Sequence, residues 1–317
     1  MDNLPYVHTC HPQTKADLPV SESYFYYALN LGLDIGLFSR VNVSLDWYTR
    51  TTKDLLMSKQ LNSISGFSSL LTNVGQMRNT GVELEVRSNN IKTKDFSWTT
   101  AFNLSHNKNK ILILADLPWF VDGRYVRKEG YPFNTIYLRE YAGVDPETGS
   151  ALYYDNQQDE NGNYTKNKVT DPGQASPIPL KDITPTISGG FMNTFNYKFI
   201  DLSFNLSYSF GGYSYDNASY ILQDDGYSVI SNKSTEQRRR WQKPGDITDV
   251  PRFVYGNKKG GNYNSSHAIH STDHIRLKSL ILGLNAPKAW LQKLGIGNAR
   301  IYFSGTNLLT WMACEEL

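Results

Sequence analysis

Odd-numbered positions from 29 to 37 carry Leu29, Leu31, Leu33, Ile35 and Leu37, and the positions between them carry Asn30, Gly32, Asp34 and Gly36. Successive side chains of an extended chain point to opposite sides, so this period of two predicts a strand with one apolar and one polar face. After Ser39-Arg40 the pattern resumes, with Val41, Val43, Leu45 and Trp47 against Asn42, Ser44, Asp46 and Tyr48. A second pair follows: Val82, Leu84 and Val86 alternate with Glu83, Glu85 and Arg87, and Phe96, Trp98, Phe102 and Leu104 alternate with Ser97, Thr99, Asn103 and Ser105. A third spans 187–197 and 201–211, where Leu202, Phe204, Leu206, Tyr208 and Phe210 alternate with Ser203, Asn205, Ser207 and Ser209. In the fourth, 275–285 and 299–309, Leu280-Ile281-Leu282 breaks phase and predicts a bulge.

The connections have their own pattern. Links inside each pair are short (39–40, 88–95, 198–200, 287–298), and those between pairs are long (49–80, 106–186, 212–274). The alternation runs beyond the usual five or six residues, toward the roughly 9 to 11 that a tilted strand needs to cross a bilayer. Short turns at one end and long loops at the other describe a membrane barrel. The predicted fold is therefore all-β: part of an antiparallel transmembrane β-barrel, a curved sheet of at least eight long strands in four hairpins, with short periplasmic turns and long extracellular loops. Residues 135–141 would upset that parity as a ninth spanning strand, so they are expected to pair outside the wall. Leu29, Leu31, Leu33, Val82, Leu84, Val86, Leu202 and Leu206 should face lipid. The reverse would put Arg87 into hydrocarbon at about 2 to 4 kcal/mol, with Glu83 and Glu85 adding to it. Trp47, Trp98, Tyr197, Phe199, Tyr213 and Trp311 fall where interfacial aromatic girdles would lie.

Composition sharpens the picture by exclusion. The 317 residues are 39% hydrophobic and 13% aromatic, with 21 Tyr, and carry a net charge of +2. No apolar run approaches the roughly 18 residues of a membrane helix, and near-neutral charge removes the electrostatic case for nucleic acid. Arg238-Arg239-Arg240 beside Trp241 reads as a solvated loop. Two cysteines, Cys10 and Cys314, suggest no disulfide framework. The first residues show neither a basic region nor an apolar stretch of a secretion signal.

Sites of chemistry are sparse. His8-Thr9-Cys10-His11 has no partner cluster that would close a zinc site. In Asp159-Glu160-Asn161-Gly162-Asn163, aligning Gly162 with the invariant glycine of a calcium loop puts Gln157 first and Lys168 where a bidentate Glu belongs. Gly295-Ile296-Gly297 precedes a strand, whereas a dinucleotide motif follows one. No nucleophile elbow, phosphate loop or zinc-helix motif occurs, so no catalytic residue, cofactor or metal is assigned and no enzyme is expected. The binding candidates are aromatics of the 212–274 loop: Tyr213, Tyr215, Tyr220, Tyr227 and Trp241, with Tyr255 and Tyr263 nearby. Their faces could stack on sugar rings while neighbouring Asn and Asp bond hydroxyls; the alternative is that they pack the loop against itself.

Several stretches resemble the SusC/RagA family of TonB-linked outer-membrane proteins, in the family's order. They are Leu31-Gly-Leu-Asp-Ile-Gly-Leu-Phe38 with Asp46-Trp-Tyr-Thr-Arg-Thr-Thr-Lys-Asp-Leu-Leu56, and Asn73-Val-Gly-Gln-Met-Arg-Asn-Thr-Gly-Val-Glu-Leu84. Further on come Ala142-Gly-Val-Asp-Pro-Glu-Thr-Gly149, Gly189-Gly-Phe-Met-Asn-Thr-Phe-Asn-Tyr197, Arg240-Trp-Gln-Lys-Pro-Gly-Asp246 and Arg300-Ile-Tyr-Phe-Ser-Gly-Thr-Asn-Leu-Leu-Thr-Trp311. The resemblance implies the C-terminal third of a plugged barrel of about 22 strands. It further implies import of oligosaccharides or peptides across the outer membrane of a Gram-negative cell, with a SusD-like surface lipoprotein and energy from TonB. On that reading residues 1–23 are an irregular N-terminal segment without plug, 24–311 are partial barrel, and 312–317 are a truncated or non-native tail. The alternatives are a soluble all-β carbohydrate-binding or adhesin module, which would pack two sheets about a shared core, and an outer-membrane lipase-like barrel enzyme.

Overall fold

The computed structural model describes residues 25–60, 69–114, 118–228, 230–257, 264–287, 291–292 and 295–314. The expected irregular segment 1–23, with its His8-Thr9-Cys10-His11 motif, lies outside the described residues, as do Tyr263 and the last three positions of the tail.

Four long strands open the chain: β1 (Phe25–Leu37), β2 (Val41–Gln60), β3 (Ser69–Lys92) and β4 (Phe96–Leu114). A first excursion holds β5 (Trp119–Asp122), β6 (Tyr125–Lys128), β7 (Thr135–Leu138), β8 (Tyr141–Val144), β9 (Ala151–Tyr154), β10 (Lys168–Val169) and β11 (Ile178–Asp182). Then come β12 (Ile187–Tyr197) and β13 (Ile200–Phe210). A second excursion holds β14 (Tyr213–Tyr215), α1 (Asn217–Leu222) and β15 (Ile269–Ser271), before β16 (His274–Asn285) and β17 (Arg300–Met312). The long strands form one eight-stranded antiparallel sheet in the order β1-β2-β3-β4-β12-β13-β16-β17. Consecutive long strands are neighbours throughout, as four hairpins require.

Directly opposed residues of an antiparallel pair share a face, so the register can be followed across the whole sheet. One row reads Ile35, Val43, Val86, Phe102, Phe191, Leu206, Leu277, Leu309. The row one residue along, on the opposite face, reads Asp34, Ser44, Glu85, Asn103, Gly190, Ser207, Arg276, Thr310. Eight strands thus agree on one apolar and one polar face. Among the described residues nothing covers the apolar one: Leu29, Leu31 and Leu33 are 53%, 61% and 54% exposed. Val82, Leu84, Val86, Leu202 and Leu206 are half-buried, because an interior strand has cross-strand neighbours on both sides whereas β1 is an edge. The sheet is a single layer, and the two packed sheets of a soluble module are absent among the described residues.

The apolar band has an upper limit. On its face the row above Trp47 and Val82 reads Leu29, Thr49, Thr80, Lys108, and two residues higher stand Thr51, Arg78 and Lys110. Charge appears on both faces there while backbone pairing continues. For that reason β2 reaches Gln60, β3 starts at Ser69 and β4 runs to Leu114, and much of the expected 49–80 loop is strand. At the other end β3 continues to Lys92, shortening the expected 88–95 link to residues 93–95. The predicted bulge exists but sits at Lys278, which both neighbouring strands skip, two residues before the phase break at Leu280. Residues 135–141 pair inside the first excursion, as the parity required: β7 joins a four-stranded sheet with β11, β6 and β5, and β8 a three-stranded one with β9 and β10.

Two glycines permit close approaches within the wall. A Cβ at Gly81 would lie 2.5 Å from the Tyr48 ring, and one at Gly189 would lie 2.4 Å from the Tyr208 hydroxyl. Tyr208 spans that gap to donate to the Asn103 carbonyl at 2.7 Å. Each tyrosine covers a backbone that a side chain would otherwise have to shield.

Candidate functional site

The two excursions meet above the long-loop end of the wall and form a crown. Ser266 N donates to Arg139 O at 2.8 Å, Arg252 N to Gly149 O at 2.9 Å and Gly245 N to Pro146 O at 2.9 Å. Tyr141 anchors the junction, its hydroxyl donating to Asp249 O (2.8 Å) and its amide to Ser266 Oγ (2.9 Å). Burial raises its phenol pKa, reinforced by the Asp225 carboxylate and, after Tyr153, by that of Asp249. His267 packs on its ring at 4.5 Å, and desolvation lowers the imidazole pKa below its ordinary 6.5. Small apolar clusters support the crown: Ile111 and Leu114 at the top of β4 with Leu55, Phe120 and Phe133, and Ala151, Tyr153 and Ala175 with Tyr141 and Val169.

Two stretches about a hundred positions apart close on each other. In the turn after β8, Asp145 accepts from Glu147 N (3.0 Å) and Thr148 Oγ1 (2.6 Å), bonds that hold its carboxyl below the usual range. The turn ends at Gly149, with φ +69. The Trp241 ring lies directly on Gly149, where a Cβ would come within 2.4 Å, and its indole N–H donates to Pro146 O at 2.8 Å. Trp241 therefore holds the excursions together.

Tyr215 occupies a different setting, an open cleft of about 610 Å³ lined by Asp122, Gly123, Arg124, Tyr125, Arg127, Tyr215, Asn217 and Asn264. Gly123 and Arg124 form the two-residue turn between β5 and β6, and Gly123 takes the positive φ (+61) that such a turn asks of its first central residue. Tyr137 N fixes the turn by donating to Arg124 O at 2.8 Å. The Arg124 guanidinium then lies over the Tyr215 ring, 4.2 Å from its centroid. Tyr215 Oη donates to Asn264 Oδ1 at 2.8 Å, and burial first of all pushes its phenol up to about 12. Arg127 is the other cation: it pairs with Asp122 at 3.2 Å, donates to Phe133 O at 2.6 Å, and its pKa is lowered chiefly by burial.

The remaining candidates scatter. Tyr220, on α1, lies 6.2 Å from the Tyr215 ring, so these two belong together. Tyr213 lies under the Lys181 ammonium at 4.8 Å, on β14 and outside the wall, whereas Trp47 and Trp311 sit near its long-loop end and Trp98, Tyr197 and Phe199 near its short-turn end. Tyr227 is exposed and joins neither group. Arg239 pairs with Glu236, and Arg240 donates to Gln237 O at 3.1 Å, so two of the three consecutive arginines are tied within their own turn. Asp159 caps its loop by accepting from the amides of Asn161 (2.9 Å) and Asn163 (2.8 Å). The residue that aromatic counting missed is Arg124. Asp122-Gly123 between Val121 and Tyr125 is a hairpin signal that marks the turn carrying Arg124, though not its packing on Tyr215.

Comparison with known proteins agrees with the wall. The family model described as TonB dependent receptor-like, beta-barrel, matches residues 27–136. TonB-dependent receptor P3 of Formosa agariphila is 34% identical over 302 residues, which are 89% of this chain and 29% of that protein. TonB-dependent receptor SusC of Bacteroides thetaiotaomicron is 27% identical, over 88% of this chain and 28% of its own length. Among solved structures, that of the RagAB peptide transporter superposes with a TM-score of 0.80 at 30% identity, covering 92% of this chain and 32% of the other. The chain thus spans about three tenths of the length of the relatives it matches. Members of this family are outer-membrane β-barrels that act as transporters and receptors. A two-faced eight-stranded wall, the family match over its first strands and relatives along nearly the whole chain together make this chain similar to the β-barrel of TonB-dependent receptors of the SusC/RagA type.

Proposed function

We propose that this chain supplies wall and outer loops to an importer of oligomeric nutrients in the outer membrane of a Gram-negative cell, driven through TonB and working with a SusD-like surface lipoprotein. The observation that carries this reading is the pair of rows across all eight strands, apolar on the uncovered face and polar on the other. A polar inner face suits a lumen that hydrated cargo passes, and a crown at the long-loop end suits first contact with it. The cargo is an oligosaccharide or a peptide; one solved relative is itself named a peptide transporter. Tyr215 and Tyr220 are the ring-stacking contacts we favour, and Trp241 acts as a structural support for them.

The test is uptake. Cells carrying the intact gene should take up labelled oligosaccharides or oligopeptides too large for diffusion through porins, a gene deletion should abolish this, and a protonophore should do the same. Undiminished uptake in the deletion strain would overturn the reading.

A further inference from the structure

The cleft beside Tyr215 is unusual in what it offers a ligand. Of its charged residues, Asp122 and Arg127 neutralise each other. Asp216, next along the chain, turns its carboxylate to α1, accepting from Ala218 N at 2.8 Å and from Ser219 Oγ. Arg124 makes no ion pair among the described residues. Its Nη2 reaches Asn217 Oδ1 only at 3.4 Å, and its Nε is buried and donates to no described group. The amides are oriented by the same network: Asn217 and Asn264 accept at Oδ1 from Arg124 and Tyr215, which leaves both NH₂ ends as donors. A guanidinium held over an aromatic ring, flanked by two amide donors and by a carboxylate already paired with Arg127, presents a ligand mainly with donors.

We infer that this cleft is an anion subsite for the cargo, taking a carboxylate into the fork of Arg124 while Tyr215 and Tyr125 contact the apolar face of the unit that bears it. The inference rests on the importer reading and narrows it to acidic oligomers. A peptide's carboxyl group and a uronic acid both supply the chemistry.

Binding to the protein purified in detergent separates these cases. The probes are an acidic oligopeptide and its amidated counterpart, and a glucuronic-acid oligosaccharide and its carboxyl-reduced counterpart. The charged member of one pair should bind about tenfold more tightly than the neutral member, as a charge-assisted bond implies, and added salt should erode the difference. Arg124→Gln should abolish the preference, its loss falling on the charged member more than on the neutral one, and Arg124→Lys should retain part of it. The pair that responds names the source. Equal binding of charged and neutral members overturns the inference while the importer reading stands, as does an Arg124→Gln loss that is equal for both. Failure of all four probes to bind overturns it too, and the uptake experiment then decides separately whether the protein imports.

Discussion

The wall and the crown are held together by different forces. Wall strands share a continuous hydrogen-bond ladder and an apolar band that, among the described residues, nothing covers and no packed core backs, so their stability depends on what bathes that band. The crown has small buried clusters, capped turns and ion pairs such as Lys233 with the buried Asp224 at 2.5 Å, the means of a water-soluble domain. One chain therefore satisfies two solvents, and the border between them is the row where Thr49, Thr80 and Lys108 replace Trp47 and Val82 on the outward face.

The contrast can be broken most strongly in the wall. Val86→Arg, in mid-band, should cost about 2 to 4 kcal/mol in urea unfolding from lipid vesicles, whereas Ser105→Arg, on the polar face opposite Glu83, should cost under about 1. Equal costs would mean that the faces do not differ. In the crown, Gly149→Ala meets both a positive φ and the Trp241 ring and should cost about 1 to 3 kcal/mol. The damage should appear as faster hydrogen exchange in residues 142–149 and 240–252, with the wall strands unchanged. Trp241→Phe keeps the ring contact and loses the bond to Pro146, so about 0.5 to 1.5 kcal/mol is expected in the same measurement.

The smallest effect is one of pH. His267 has a lowered pKa in the folded crown, so below about 6.5 the unfolded state binds the extra proton first. Stability conferred by the neutral ring is complete above 6.5 and declines as pH falls from there toward the folded value. Exchange protection at the Tyr141 junction should weaken over that window. His267→Asn should flatten the dependence, and an unaltered profile would remove His267 from the account.

How far the sequence was legible follows the same border. Strict alternation in 29–37, 41–47, 82–86 and 201–211 placed wall strands because lipid and lumen demand opposite side chains on alternate residues. Above Thr49 both faces meet water, the demand lapses, and β2 and β3 run on without a hydrophobic signature. The bulge at Lys278 shows in the sequence only as the phase break at Leu280, because a bulge shifts phase for the residues that follow it. Crown strands of two to five residues carry too few positions to show a period. Of the cleft, Tyr215 and Tyr220 were visible as aromatics, while Arg124 needed the turn at Gly123 to bring it onto Tyr215 across 91 positions of sequence, a tertiary fact that no local pattern contains.

The central claim is that the wall has one lipid face and one polar face across every strand. Spin labels placed singly at 41–47, 82–86 and 202–207, with Cys10 and Cys314 replaced by serine, test it through collision rates with oxygen, which concentrates in lipid, and with a water-soluble nickel chelate. Oxygen accessibility in vesicles should peak at Val43, Val86 and Leu206 and fall at Ser44, Glu85 and Ser207, alternating with period two in register across the strands. Accessibility without alternation, or maxima at Ser44, Glu85 and Ser207, would contradict the account.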